Sequence, residues 1–153
     1  MSTPRDDGDL LPTKSSGEPK VTLLTLSVLS DSLPDGKTVT VDPAKADKNQ
    51  PIIIKEGAEY QFAITFRVDQ GVVSGLRYVH VVRRAGLKVD KLEQMLGSYG
   101  PSADPYTKRS EPEEAPTGVV ARAGSYVVSS RFSDYGGTVY ADFEWSFKLA
   151  KEW

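Results

Sequence analysis

Three features of the chain point to an all-β sandwich. Most of its apolar stretches alternate apolar and polar residues with a period of two, turn residues separate them, and no long stretch carries helical periodicity. Seven or more short strands without an internal repeat are the pattern of an immunoglobulin-like β-sandwich. The chain has no cysteine, so the Cys-Trp-Cys signature of antibody domains is absent and the expectation concerns architecture, not that family.

Residues 1–20 are rich in Ser, Thr, Pro, Asp, Gly and Lys, with Leu10 and Leu11 the only anchors, and are expected to form a disordered tail. Residues 21–153 are expected to be the folded domain. In VTLLTLSVLS, Leu24, Leu26 and Val28 share one face, with Thr25 and Ser27 opposite, and Pro34-Asp35-Gly36 then supplies a turn. TVTVD alternates again, residues 43–50 make a polar connection, and PIIIKEG is a short β-branched run ended by Gly57.

The cleanest alternation follows. Tyr60, Phe62, Ile64, Phe66 and Val68 face one way, and Glu59, Gln61, Ala63, Thr65 and Arg67 the other, so one side of this strand is core. After the turn at Asp69-Gln70-Gly71, residues 76–84 resume as a strand with Tyr78 and Val82 on one face and Val79 and Val81 on the other, which predicts cover on both sides. Leu87, Val89, Leu92, Met95 and Leu96 fit either a strand or a helical turn. Residues 97–117, holding Pro101, Pro105, Pro112 and Pro116, read as one long loop, a length uncommon without function. Two strands close the chain: Tyr126, Val128 and Phe132 alternate in the first, and Val139, Ala141, Phe143, Trp145, Phe147 and Leu149 in the second.

Composition narrows the function. At 153 residues the chain fits one domain able to bury about 68–70% of its unfolded surface. The N-terminal MSTPRDDGDL has no apolar core of the signal-peptide kind, and nowhere do 18 apolar residues run together, so a soluble cytosolic protein is expected. With 19 Lys plus Arg against 21 Asp plus Glu, the net charge of -2 offers no global attraction to nucleic acid.

Motifs for chemistry are weak. Gly36-Lys37-Thr38 resembles the end of a phosphate-binding loop, but Asp31 stands where the first glycine belongs and no helix follows. His80, the single histidine, sits mid-strand beside valines, which favours a structural or surface role over metal or acid–base work. A zinc site built on it would need three carboxylate or water ligands, and a serine triad would lack a nucleophile elbow. Asp104, Glu111, Glu113 and Glu114 are either a solvated loop or an acidic patch for a basic partner. A proline-rich loop is a poor place to hold paired catalytic carboxylates. Trp145 is either core or the wall of a cavity between the sheets.

The segments IIIKEGAEYQFAITFRV, VVSGLRYVH, LKVDKLEQMLGSYGP, EEAPTGVVARAGSYVVSSRF and FEWSFKLAKEW run in the order, and with nearly the spacing, of one family. From Leu24 to Trp153 the chain resembles the Rho GDP-dissociation inhibitors. The resemblance implies an immunoglobulin-like β-sandwich with an apolar inter-sheet pocket for the geranylgeranyl lipid of a prenylated Rho/Rac-type small GTPase, which it keeps soluble in the cytosol while inhibiting GDP dissociation. It implies no catalysis, cofactor, metal or stable membrane insertion, and a monomer when alone. Matching the motifs by position places the isoprenoid pocket on Leu26, Ile52, Val72, Val120, Val128 and Trp145. The residues facing the GTPase fall on Asp90, Glu113, Glu114 and Asp134. Ile52 stands where the pattern has an aromatic, a change that would enlarge the pocket. Ala123 reads as a one-residue insertion between Arg122 and Gly124, and the acidic cluster expected around Asp134 is here Asp134-Tyr135-Gly136.

The family precedes its sandwich with a longer arm that carries an Asp-Glu-Ser-Leu-like stretch and a helix bearing Lys and Tyr, and this arm meets the GTPase switch regions. Residues 1–20 carry no match to it; Asp6-Asp7-Gly8-Asp9-Leu10-Leu11 comes nearest. Burying a lipid chain is worth about 0.8 kcal/mol per methylene, but the bilayer supplies nearly as much, so protein contacts must tip the balance. The expectation is a chain that binds a prenylated GTPase or its lipidated tail and inhibits exchange weakly. A general carrier of prenyl lipids on the same fold is the alternative.

Overall fold

The structure, a computed structural model, describes residues 18–153. Up to residue 17 the expected tail lies outside the described residues, and Lys20 already opens the first strand. The strands are β1 (Lys20–Leu29), β2 (Thr40–Val41), β3 (Ile52–Lys55), β4 (Glu59–Gln70), β5 (Val73–Arg84), β6 (Leu87–Tyr99), β7 (Tyr106–Arg109), β8 (Glu113–Glu114), β9 (Ser125–Ser133) and β10 (Val139–Ala150). One short helix, α1 (Val119–Arg122), precedes β9. The first sheet runs β2-β1-β4-β7 with β8 also on β4, and the second runs β3-β10-β9-β5-β6. All pairings are antiparallel except β3 on β10. This is the expected all-β sandwich.

The core is built from the inward faces of both sheets. On β4, Phe62, Ile64, Phe66 and Val68 are buried, as their alternation requires. On β9, Tyr126, Val128 and Phe132 alternate inward, with Ser130 between them. Leu26 and Val28 of β1 are buried as expected, but Leu24 is only half-buried and Leu23 takes the core position. A bulge between Leu23 and Thr25 shifts the register by one residue, which moves the preceding side chains to the opposite face.

Three further expectations change. Strand β5 has one buried face, Tyr78, His80 and Val82, while Val79 and Val81 are only half-buried. Val79 lies between Glu93 and Arg131, and Val81 between Lys91 and Ser129, so the stems of long polar neighbours give these valines partial cover without a second core. The ambiguous segment 87–96 is strand, because Arg84 and Leu87 pair across Ala85-Gly86, whose φ values of 51° and 80° form a tight turn that sends β6 straight back along β5. Residues 97–117 are not one loop: β7 pairs with residues 63–66 of β4, and β8 with Glu59 and Tyr60. Prolines flank both short strands without interrupting them, and edge strands with one solvated side tolerate polar residues that hide their period.

The two ends of the sandwich differ. At one end Phe66 packs against Tyr99, Tyr106 and Phe132 with ring centroids 5.0, 5.6 and 5.6 Å apart, so rings from β4, β6, β7 and β9 fill the space between the sheets. The hairpin joining β9 to β10 closes over this end, where the Tyr135 amide donates to the Ser74 carbonyl at 3.1 Å. Gly75 permits that approach: its φ is +62°, and a β-carbon there would lie 2.7 Å from Cβ of Tyr135. Replacing Phe66 by alanine should cost about 3–5 kcal/mol in urea unfolding, since four strands lose their common contact. A loss below about 1 kcal/mol would show that this end does not pin the sheets.

Candidate functional site

At the other end the sheets enclose a cavity of about 270 Å³. Alternation along the strands supplies its wall: Phe62 from β4, Val82 from β5, Val128 from β9, and Trp145, Phe147 and Leu149 from β10, with Ile54 of β3 beneath. The rings are ordered among themselves. Phe62 and Trp145 meet edge to face at 5.9 Å, and Tyr126 stacks on Phe147 at 4.8 Å. Around the mouth stand Arg84, Val89, Asp90, Glu113 and Glu114.

The deep wall carries a chain of buried polar groups. The Trp145 indole N–H donates to Ser130 Oγ at 2.8 Å, Ser130 Oγ lies 2.8 Å from the Tyr78 hydroxyl, and that hydroxyl lies 2.9 Å from His80 Nδ1. All four side chains are buried, and His80 and Trp145 line the cavity. Burial pushes the His80 ring down to about 4, against a smaller opposing pull from Asp90, so it is neutral at neutral pH. Burial likewise pushes the Tyr78 hydroxyl up, and it stays protonated. His80 is thus buried and not at the surface, and its ring forms part of a cavity wall.

Charge at the mouth is unbalanced. Burial and then the neighbouring Asp90 push the Glu113 carboxyl up, with the Tyr60 hydroxyl, 3.4 Å from Glu113 Oε1, opposing the shift. Arg84 does not neutralise this cluster, because its guanidinium is committed elsewhere. It donates to the carbonyls of Val120 and Ala123 and to the Tyr126 hydroxyl, and lies 5.0 Å above the Tyr126 ring. Glu56 fastens the same segment from the other side. Its carboxylate accepts from the Gly118 amide at 2.8 Å and from Arg122 Nη1 at 2.8 Å to each oxygen. The Gly118 amide first and Arg122 next hold the Glu56 carboxyl below its usual range, against desolvation. Residues 116–124 thus form a flap beside the mouth, clipped down at two points.

Of the six residues expected to form a pocket, the structure brings Val128 and Trp145 to the cavity. The other four lie outside it. Leu26, fully buried opposite Ile64, belongs to the solid core. Ile52 backs Trp145 from a separate shallow cleft of about 100 Å³ beside the residue 42–50 connection. Val72 is 64% exposed in the turn from β4 to β5, at the filled end of the sandwich. Val120 is 77% exposed on α1, and only its carbonyl is tied, to Arg84. Ala123, the apparent insertion, ends α1 with its amide on the Val120 carbonyl at 3.2 Å.

Among the expected acidic residues, Asp90, Glu113 and Glu114 gather at the mouth although 23 positions separate Asp90 from Glu113 in the chain (113 − 90). Asp134 does not join them. It shapes the hairpin at the filled end, accepting from the Thr138 amide at 3.0 Å and the Tyr140 hydroxyl at 2.6 Å. Phe62, His80, Val82 and Tyr126 were missed as wall residues. The inward positions of Phe62 and Tyr126 were legible in the alternation and those of His80 and Val82 on the two-faced β5 were not, and which stretch of an inward face borders empty space depends on the rings that fill the opposite end.

The described residues thus form an open-ended β-sandwich with an apolar, acid-rimmed cavity between its sheets. Its lineage is specific: the family model for RHO protein GDP dissociation inhibitor matches residues 8–152. The chain belongs to the Rho GDP-dissociation inhibitor family. It is 44% identical over 135 residues to the Rho GDP-dissociation inhibitor of Schizosaccharomyces pombe, covering 87% of this chain and 65% of that protein. It is 45% identical over 106 residues to Rho GDP-dissociation inhibitor 1 of Bos taurus, covering 69% and 52%. Rho GDP-dissociation inhibitor 3 of Bos taurus is 39% identical over 147 residues, covering 95% and 65%. The chain thus spans between about half and two thirds of the length of these relatives.

The neutral His80 makes stability depend on pH. Its folded value of about 4 lies below the unfolded 6.5, so the unfolded chain binds the extra proton and stability falls as pH drops from about 6.5 towards 4. Urea unfolding of the parent at pH 7 and pH 4.5 should show a loss about 2 kcal/mol greater than in the His80→Gln chain. Equal losses would place the acid sensitivity elsewhere.

Proposed function

We propose that this chain binds prenylated Rho-family small GTPases, holds the geranylgeranyl group in the inter-sheet cavity, keeps the complex soluble in the cytosol and inhibits GDP dissociation. The observation that carries the proposal is the cavity itself: apolar rings from both sheets inside, and carboxylates of Asp90, Glu113 and Glu114 outside. The names of the relatives support the inhibitory part. No helix among the described residues is long and apolar enough to cross a membrane, which accords with a protein that meets lipid by enclosing it. No reaction is needed, and the proposed protein acts as a monomer.

The division of labour follows from energetics. A lipid leaving a bilayer for an apolar cavity exchanges one apolar setting for another, so burial alone drives extraction weakly. The mouth supplies what the cavity does not. Glu113, already strained by burial and by Asp90, is relieved when a cationic group approaches, and a basic segment beside a lipidated C-terminus brings that group to the right place. At about 270 Å³ the cavity is slightly below the roughly 300–1,000 Å³ of ordinary ligand sites, so a long isoprenoid must part the sheets further at this end. Val128 and Trp145 act as pocket wall in this reading. Val72, Val120, Leu26, Ile52 and Asp134 stand outside the cavity and take no part in it.

Blocking the cavity tests the assignment. A folded Val82→Trp chain should lose at least about tenfold in affinity for a geranylgeranylated tail peptide, while Val72→Arg, far from the cavity, should bind like the parent. The reverse pattern would move the pocket to the filled end. Comparing the tail peptide with the whole prenylated GTPase decides between an inhibitor and a general lipid carrier, since a carrier gains nothing from the protein surface.

The rim is tested by charge reversal. Converting Glu113 and Glu114 to lysine should slow association with a prenylated GTPase chiefly at low salt and have little effect at high salt. A rate that ignores ionic strength in both chains would remove these carboxylates from the interface.

A further inference from the structure

Strand β6 is the margin of the second sheet: β5 pairs with one side of it, and among the described residues no strand pairs with the other. From Asp90 to Met95 its register with β5 is unbroken, so the backbone groups of alternate residues point toward β5 and away from it. Two hydrogen bonds show which residues face away. The Gln94 side-chain amide donates to the Met95 carbonyl at 3.2 Å while accepting from the amide of Glu111, which lies outside this sheet, so the Met95 carbonyl looks outward. Lys91 faces the same way, and its amide donates to Asp90 Oδ1 at 2.8 Å instead of to a strand. Glu93 stands between them, so its N–H and C=O lie on that edge too. Such an edge is a template for another strand.

The edge adjoins the cavity. Val89 and Asp90 of β6 line the mouth together with Glu113 and Glu114 of β8, so carboxylates from both sheets flank the gap between them. We propose that the extended, basic segment carrying the lipid adds to β6 as a strand over Lys91 and Glu93. The inference rests on the reading of the cavity as a lipid site. Main-chain pairing supplies affinity that does not depend on the segment's side chains, and the rim then selects among them. An incoming carbonyl that accepts from the Lys91 amide frees the Asp90 carboxylate for a cation of the same segment. Asp90 stands opposite the inward-facing Val82, whereas Lys91 stands opposite Val81 on the outer face, with its Nζ 3.9 Å from Glu93. Cations are therefore favoured at every second residue of the segment, on the cavity side.

Backbone methylation of the ligand tests this without altering the protein. Geranylgeranylated peptides of one lysine-serine sequence are compared unmodified, N-methylated at odd positions, and N-methylated at even positions counted from the lipidated residue. Affinities for the full chain are read by fluorescence titration. One methylated set should lose about tenfold, and the other, whose N–H groups face away from β6, should bind like the unmodified peptide. Amide hydrogen exchange at Lys91 and Glu93 should slow by about tenfold or more with the unmodified peptide and stay unchanged with geranylgeranyl cysteine alone. Equal affinities of the two methylated sets, or amides left unprotected by the peptide, overturn the strand addition while leaving the lipid cavity standing. A chain that is dimeric without ligand, with both amides already protected, overturns it in favour of a second copy on the edge. If the unmodified peptide does not bind, both readings fall together.

Discussion

Phe66 is the contact on which the rest of the molecule depends. Its ring meets Tyr99, Tyr106 and Phe132, so strands from both sheets are bound together at one place. A sandwich filled at one end must leave any spare volume at the other. Four residues along β4 from Phe66 lies Phe62, and four along β9 from Phe132 lies Val128, and both line the cavity. The same inward faces are therefore solid core at one end and cavity wall at the other, with no change in residue chemistry between them.

Apolar walls around an empty space tend to collapse, and this cavity is held by polar groups. The Trp145, Ser130, Tyr78 and His80 side chains satisfy one another across β10, β9 and β5. Each such bond contributes only about 0.5–1.5 kcal/mol net, but breaking one leaves a buried polar group unpaired, which costs more than the bond contributes. That asymmetry makes the wall resist rearrangement. At the mouth, Glu56 and Arg84 do the corresponding work for residues 116–124, tying backbone groups that would otherwise fray.

The proposed function separates binding and recognition in space. The interior is neutral and presents aromatic rings, while the carboxylates stand at the opening, where water and a partner's cations reach them. In the proposed function a lipid inside gains from the first, and a basic protein segment outside gains from the second, with family membership tying the two together.

Alternation alone made β4, β5, β9 and β10 legible, because a period of two leaves a half-buried strand no other arrangement. The motifs made the family legible, and with it the acidic residues at the mouth. Sequence failed where a local event changes the register or the neighbourhood. The bulge at Leu23, the tight turn at Ala85-Gly86 and the short edge strands β7 and β8 each depend on pairing partners that lie far along the chain. The site divides along the same line. That Val128 and Trp145 face inward follows from their place in the alternation, whereas β5, apolar on both faces, left the side of His80 open. That Val128 and Trp145 border a cavity while the equally apolar Leu26 is sealed in the core, and that Val72 stands at the opposite end, was settled only when Phe66 and its partners filled one end of the sandwich and left the other open.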